Sequence, residues 1–213
     1  MPVITEWHMG KRINNPMIEM DAVGIVLHYV GNPNTTARNN ANYLRNVTNK
    51  TSVHYVVDDI DIYEIIPPYF TSFGTDNAAF NNRYIQIEMC HPDSTGRISE
   101  KTLDNVVWLC RKLIREFGAR DIVRHYDAST KKKKCPLWYV NNPDEWEKLK
   151  ARILKEEAVT MDNTPSEWSR EALNWAIEKG IIKGDENGDL KLRSALTREE
   201  FVVMLKRYHD SEK

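Results

Sequence analysis

Gly24-Ile25-Val26-Leu27-His28-Tyr29 is an apolar run that ends in an imidazole and a phenol, and its β-branched content reads as a strand. Similar runs recur at Val53 to Val57, Ile62 to Ile66 and Tyr84 to Met89. Asp58-Asp59-Ile60-Asp61 separates the second from the third, which predicts a hairpin. Downstream, Leu103, Val106, Val107, Cys110, Leu113, Ile114 and Phe117 follow helical spacing between a capping Ser99 and a terminating Gly118. Shorter helices are expected from Thr36 to Arg45 and from Asp144 to Ile153, where Trp146, Leu149 and Ile153 stay in register. Strands interleaved with helices make this an α/β domain.

The chain has 213 residues, enough for one well-buried domain with a small appendage. Hydrophobic residues make up 41% and charged residues 29%, and the net charge of −1 gives no bulk attraction to nucleic acid or to an anionic membrane. Partners are therefore to be sought in local sites. Met1-Pro2-Val3-Ile4-Thr5-Glu6 lacks the basic start and apolar core of a secretory signal, and no apolar run approaches a membrane span of roughly 18 residues. Synthesis in the cytoplasm, without a signal peptide, is the expectation. The odd count of three cysteines, Cys90, Cys110 and Cys135, does not suggest a complete disulfide framework.

Residues 158–165 carry no periodicity and close on Pro165, so they read as a linker between residues 1–157 and a small all-helical unit at 166–213. In that unit Trp168, Ala172, Trp175 and Ala176 are expected to share a helical face ended by Gly180. A turn-rich Gly184-Asp185-Glu186-Asn187-Gly188-Asp189 follows, and Thr197-Arg198-Glu199-Glu200 reads as a capping box. Two helices offer little core, so the unit is expected to lean on the main domain or on another copy of itself.

Three residues stand out chemically: His28 at its strand end, His125 in Arg124-His125-Tyr126-Asp127, and Cys135 ten positions later in Lys133-Lys134-Cys135-Pro136. A structural zinc takes four protein ligands, whereas a catalytic zinc takes three and keeps one position open. Brought together, these three make a hydrolytic centre. The run Lys131 to Lys134 argues for an exposed Cys135 with a lowered thiol pKa.

Leu27-His28-Tyr29, Val53-His54-Tyr55-Val56-Val57-Asp58, Ile85-Gln86-Ile87-Glu88, and Arg124-His125 with Lys133-Lys134-Cys135-Pro136 together resemble the zinc N-acetylmuramoyl-L-alanine amidases, and in particular bacteriophage endolysins of that type. The resemblance spans about residues 20 to 150 and has four motifs in the family's order. It implies a mixed central β-sheet flanked by helices and a Zn2+ ion held by His28, His125 and Cys135. It further implies Glu88 as the base acting on water and Lys133 as a partner of the oxyanion. The substrate would be bacterial peptidoglycan, cut between N-acetylmuramic acid and L-alanine. Two positions depart from the pattern. Val53 stands where some relatives use a tyrosine, and Ser72-Phe73-Gly74 where many have a Trp-His-Gly type segment lining the groove. His54 matches a family histidine near the cleft, although on a strand it serves packing equally well.

The stretch Trp175 to Asp185, with Leu196-Thr197-Arg198-Glu199-Glu200-Phe201, resembles one S-layer homology repeat, which implies affinity for secondary cell-wall polymer. Such repeats usually come in threes, so a single one raises self-association or a stabilising role as alternatives. The leading expectation is a lytic endolysin that reaches the wall after the membrane is breached; a host autolysin would have the same activity. A non-catalytic peptidoglycan-binding module is the alternative of another class, and the presence of Cys135 argues against it. A structural zinc protein or nucleic-acid binder would need a fourth ligand and a wider basic surface.

Overall fold

A computed structural model of the chain describes all residues except 1, 11–12, 156–162, 187, 193, 195 and 212–213. The chain divides into two compact units, Met1–Lys155 and Glu156–Lys213. Most of the expected linker, residues 158–162, lies outside the described residues, and 163–165 have no regular structure.

In chain order the first unit runs β1 (Ile4–Glu6), β2 (Gly24–Tyr29), α1 (Ala37–Asn46), β3 (Tyr55–Val57), β4 (Ile62–Glu64), α2 (Ala78–Asn81), β5 (Tyr84–Met89), α3 (Glu100–Phe117), β6 (Asp121–Arg124), α4 (His125–Ala128), α5 (Leu137–Asn141) and α6 (Pro143–Leu154). The six strands form one sheet in the order β1-β4-β3-β5-β2-β6. Among the described residues, the expected hairpin β3–β4 is the antiparallel pair of these strands and the other strand pairs are parallel. The sheet is therefore mixed, with helices on its faces.

Side chains alternate across a strand, and that alternation sorts the two faces. Ile25 and Leu27 of β2, with Ile85, Ile87 and Met89 of β5, join the apolar positions of α3 and α6 in one core. Ser99 Oγ accepts from Thr102 N–H to start α3, and Gly118 ends it at φ 68°, a left-handed conformation that costs glycine little. On the opposite face α1 packs with Val53, Val56, Tyr63 and Ile65. Its contacts are with β3 and β4. The buried Asp58 carboxylate in the hairpin accepts from Ala37 N–H at 2.6 Å and from Ile60 and Asp61 N–H, tying the helix start to the turn. His28 and Glu88 lie side by side in the β2–β5 register, with Val26 beside Gln86 one pleat earlier.

The structure departs from expectation at several ends. The second run becomes a regular strand only at Tyr55, although the His54 backbone already donates to Gln86 O at 3.0 Å and accepts from Ile65 N–H at 2.7 Å. β4 ends at Glu64, and the short strands β1 and β6 were not expected at all.

In the second unit, helix α7 (Arg170–Glu178) is preceded by a 3-10 turn at Glu167–Ser169, and α8 spans Arg198–Ser211. Trp168 lies in that turn and is 89% exposed, so it does not share a helical face with Ala172, Trp175 and Ala176. The capping box at Thr197 is present: Glu200 N–H donates to Thr197 Oγ1 at 3.1 Å and Thr197 N–H to Glu200 Oε2 at 2.8 Å. Gly184 approaches Gly188 so closely that a Cβ would lie 2.6 Å from its carbonyl carbon, so this turn requires glycine.

Candidate metal centre

With α1 placed over β3 and β4, the site side chains lie on that same face of β5 and β2. His28 is the penultimate residue of β2, the strand next to the β6 edge of the sheet. His125 opens α4 directly after β6, which pairs with β2 on its other side. That turn is clamped by Arg124, whose Nε and Nη2 donate to the two Asp127 oxygens at 2.8 Å each and whose Nη1 donates to Tyr139 O at 3.0 Å. Tyr126 N–H donates to Cys135 O at 2.8 Å and sets the cysteine beside the histidine turn.

His28 Nδ1 lies 2.9 Å from His125 Nδ1 and 4.0 Å from Cys135 Sγ. All three residues are buried, and their donor atoms lie within 4.8 Å of one another. Tetrahedral zinc, with bonds of roughly 2.0–2.3 Å, separates neighbouring donors by roughly 3.3–3.7 Å, a spacing that the observed distances bracket. The three side chains therefore fit one small cation.

Burial sets the charge of the donors. It pushes His28 down to about 3, helped by the neighbouring His125, and His125 down to about 4, helped by Lys133. Both imidazoles are neutral at neutral pH, with lone pairs to offer. The lysine run does not expose Cys135, which is 2% accessible because the chain turns inward after the exposed loop 131–134. Burial also raises its thiol pKa instead of lowering it; Glu88 adds to the rise, while Tyr29 and Lys133 oppose it. Metal binding must then expel the thiol proton, which makes affinity pH-dependent.

Gln86 was not foreseen as part of this centre. His28 Nε2 lies 2.7 Å from Gln86 Oε1, and Gln86 Nε2 donates to Phe80 O at 3.5 Å. An amide held this way presents its oxygen to His28, so the ring carries its proton on Nε2 and turns Nδ1 towards His125 and Cys135. A signal was available: Gln86 and Glu88 are polar residues two apart in an apolar strand, hence on one face. Gly74 makes room for this amide, since a Cβ there would stand 2.8 Å from Gln86 Oε1.

Glu88 flanks His28, and its Oε2 is enclosed without a hydrogen-bond partner. Burial raises its pKa to about 8, against the pull of Lys133. An orphaned carboxylate oxygen next to three metal-type donors is a group that a bound cation and its water would satisfy. Lys133 lines the adjoining cavity with His125, and its charge acts on His28, Glu88, His125 and Cys135 alike.

His54 lies apart from this cluster of donors. It is buried, its Nε2 donates to Phe70 O at 2.8 Å, and its Nδ1 accepts from Gln86 N–H at 2.8 Å. Both nitrogens are thus committed to the scaffold. Val53 is buried under α1, and Phe73 lines the cavity that holds Lys133.

The family model for N-acetylmuramoyl-L-alanine amidase matches residues 18–138, and that for the S-layer homology domain matches residues 160–202. A probable N-acetylmuramoyl-L-alanine amidase of Bacillus licheniformis is 30% identical over 71% of this chain and 47% of its own length. The amidase CwlL of the same species is 27% identical over 84% and 54%. The chain thus spans about half the length of the curated relatives it matches. Among solved structures, a mutant endolysin from Bacillus subtilis superposes with a TM-score of 0.62 at 28% identity, covering 72% of this chain and 99% of that one. The catalytic domain of XlyA does so at 0.62 and 27%, covering 71% and 99%.

Proposed function

The chain belongs to the N-acetylmuramoyl-L-alanine amidase family and carries an S-layer homology domain, and from that premise we propose that it is a zinc-dependent peptidoglycan amidase. The bond cut is the amide between the lactyl group of N-acetylmuramic acid and L-alanine. The observation that carries this reading is the convergence of His28, His125 and Cys135 from three separate elements into one buried donor set.

Zinc held by these residues would supply Lewis acidity, polarising the amide carbonyl and lowering the pKa of bound water. The chain's own groups do the rest. Glu88 takes a proton from the attacking water and later returns it to the departing alanine nitrogen. Burial raises its pKa and Lys133 opposes that rise, and a bound cation would add to the pull of Lys133 and favour the carboxylate that accepts the proton. Lys133 offers its ammonium to the oxyanion, from a position whose field reaches all three ligands and Glu88. Gln86 holds the His28 ring, and Arg124 with Asp127 holds the turn that carries His125.

We read the cellular role as that of a lytic endolysin, supported by the likeness to an endolysin structure. Residues 1–157 would be the catalytic domain and 166–213 a wall-attachment domain for secondary cell-wall polymer. In the Thr197–Glu200 segment, Thr197 and Glu200 are used in the cap, which leaves the exposed Arg198 for an anionic polymer. No helix among the described residues is long and apolar enough to cross a membrane.

The test is digestion of purified Gram-positive walls, with new amino termini identified by mass. New N-terminal L-alanine that disappears with a chelator and returns with zinc is the expected result. Wall binding without new termini would leave a recognition module, and termini elsewhere in the stem would move the cleaved bond.

A further inference from the structure

Beside the metal centre lies a cavity of about 480 Å³ whose wall includes Lys50, Phe73, Asp76, His125, Lys131 and Lys133. Three lysines and one aspartate contribute to its wall, in a chain whose net charge is −1. The one carboxylate is already committed. Asp76 accepts from Thr130 N–H at 3.0 Å, Thr130 Oγ1–H at 2.6 Å and Lys131 N–H at 3.2 Å, which pins the loop that leads to Cys135. Among the described residues no carboxylate pairs with Lys50, Lys131 or Lys133. Lys50 Nζ stands 4.3 Å from the Phe73 ring centroid, and this cation–π contact keeps its charge at the cavity wall. The cavity is thus locally cationic and continuous with a metal-ligand ring.

We propose that this cavity receives a carboxylate borne by the peptide side of the scissile amide, with Lys50 and Lys131 as its ammonium partners. The inference rests on the amidase reading above. Charge chooses the side: N-acetylated sugars present hydroxyls and neutral amides, whereas the free carboxylates near the scissile bond sit on the peptide stem. Two stem groups have this chemistry. One is the α-carboxylate of a γ-linked D-glutamate in second place; the other is the side-chain carboxylate of a diaminopimelate in third place. An extended chain advances about 3.3–3.6 Å per residue, so either is within a few residues' reach of the centre. Phe73, where the sequence departs from the family pattern, becomes the platform that positions Lys50.

The test uses the zinc-loaded full chain and four N-acetylmuramoyl peptides. Their second residue carries either the carboxylate or its carboxamide, and their third is either lysine or diaminopimelate. The expected result is a kcat/KM higher by about five-fold for the carboxylate stem, expressed in KM and shrinking as salt is raised, as befits a solvent-exposed ion pair. Whether the ratio follows the second or the third residue identifies the group that is read. Lys50→Gln and Lys131→Gln should bring the ratio towards one, and Phe73→Leu should lower it part of the way. Equal cleavage of all four stems would overturn the inference and leave the amidase intact. A preference that survives both lysine substitutions would also overturn it, and cleavage of none would overturn the amidase reading on which it stands.

Discussion

Two buried histidines share one glutamine and do different work. His28 meets the Gln86 side chain, and His54 meets the Gln86 backbone N–H. Burial makes both rings neutral, one with a pKa of about 3 and the other of about 4. They differ in what the remaining nitrogen faces. His54 spends its second nitrogen on Phe70 O, whereas the second nitrogen of His28 faces two further donor side chains. Neither burial nor pKa separates the two rings; an uncommitted lone pair among other donor side chains does.

The sharpest way to break this comparison is to remove each ring. His28→Ala is expected to abolish stoichiometric zinc binding and to lower wall hydrolysis at least about 1,000-fold; zinc analysis and turbidity loss of wall suspensions check this. His54→Ala should keep one zinc per chain. If it loses zinc as completely as His28→Ala, the division of labour is wrong.

Glu88→Gln should retain zinc while lowering the hydrolytic rate by about 100- to 10,000-fold, the usual worth of a positioned acid–base group. Gln86→Leu sharpens the comparison from the other side. It removes the acceptor of His28 Nε2–H without touching a ligand, and zinc affinity measured by chelator competition should fall by about 10- to 100-fold. Gln86→Glu keeps an acceptor and should restore most of that loss.

The smallest effect is on stability. His54→Ala leaves the half-buried Phe70 carbonyl and the buried Gln86 N–H without their His54 partner, at a cost of about 1–3 kcal/mol near pH 7. The folded-state pKa of His54, about 4, lies below its ordinary 6.5, so the unfolded chain takes up the proton first as pH falls. The contribution of His54 is thus complete above pH 6.5 and lost as pH drops through 4. Denaturant melts of wild type and variant should be furthest apart at pH 7 and converge towards pH 4.

Much of this was legible in the sequence where the local signal was long or doubled. β2, β5 and α3 begin and end where the apolar runs, Ser99 and Gly118 place them. Motif order singled out His28, His125 and Cys135, and the structure gathers these three. β6 was missed because it has four residues and only two apolar ones, Ile122 and Val123, with its strand character supplied by pairing to β2. The burial of Cys135 was misread because neighbouring charge says where a loop's side chains go, not where the next residue turns. The role of Gln86 was missed because an amide on a strand acquires a partner only through tertiary placement.

The close approach of Gly74 to Gln86 carries an evolutionary corollary. The amide cannot retreat from a new Cβ at position 74 without giving up its 2.7 Å contact with His28. Selection therefore acts on the two positions as a pair. A lineage that shortens residue 86 frees position 74 to acquire a side chain, while one that keeps the glutamine inherits the glycine with it. Among descendants of this chain, the identity of residue 74 should report how the His28 imidazole is held.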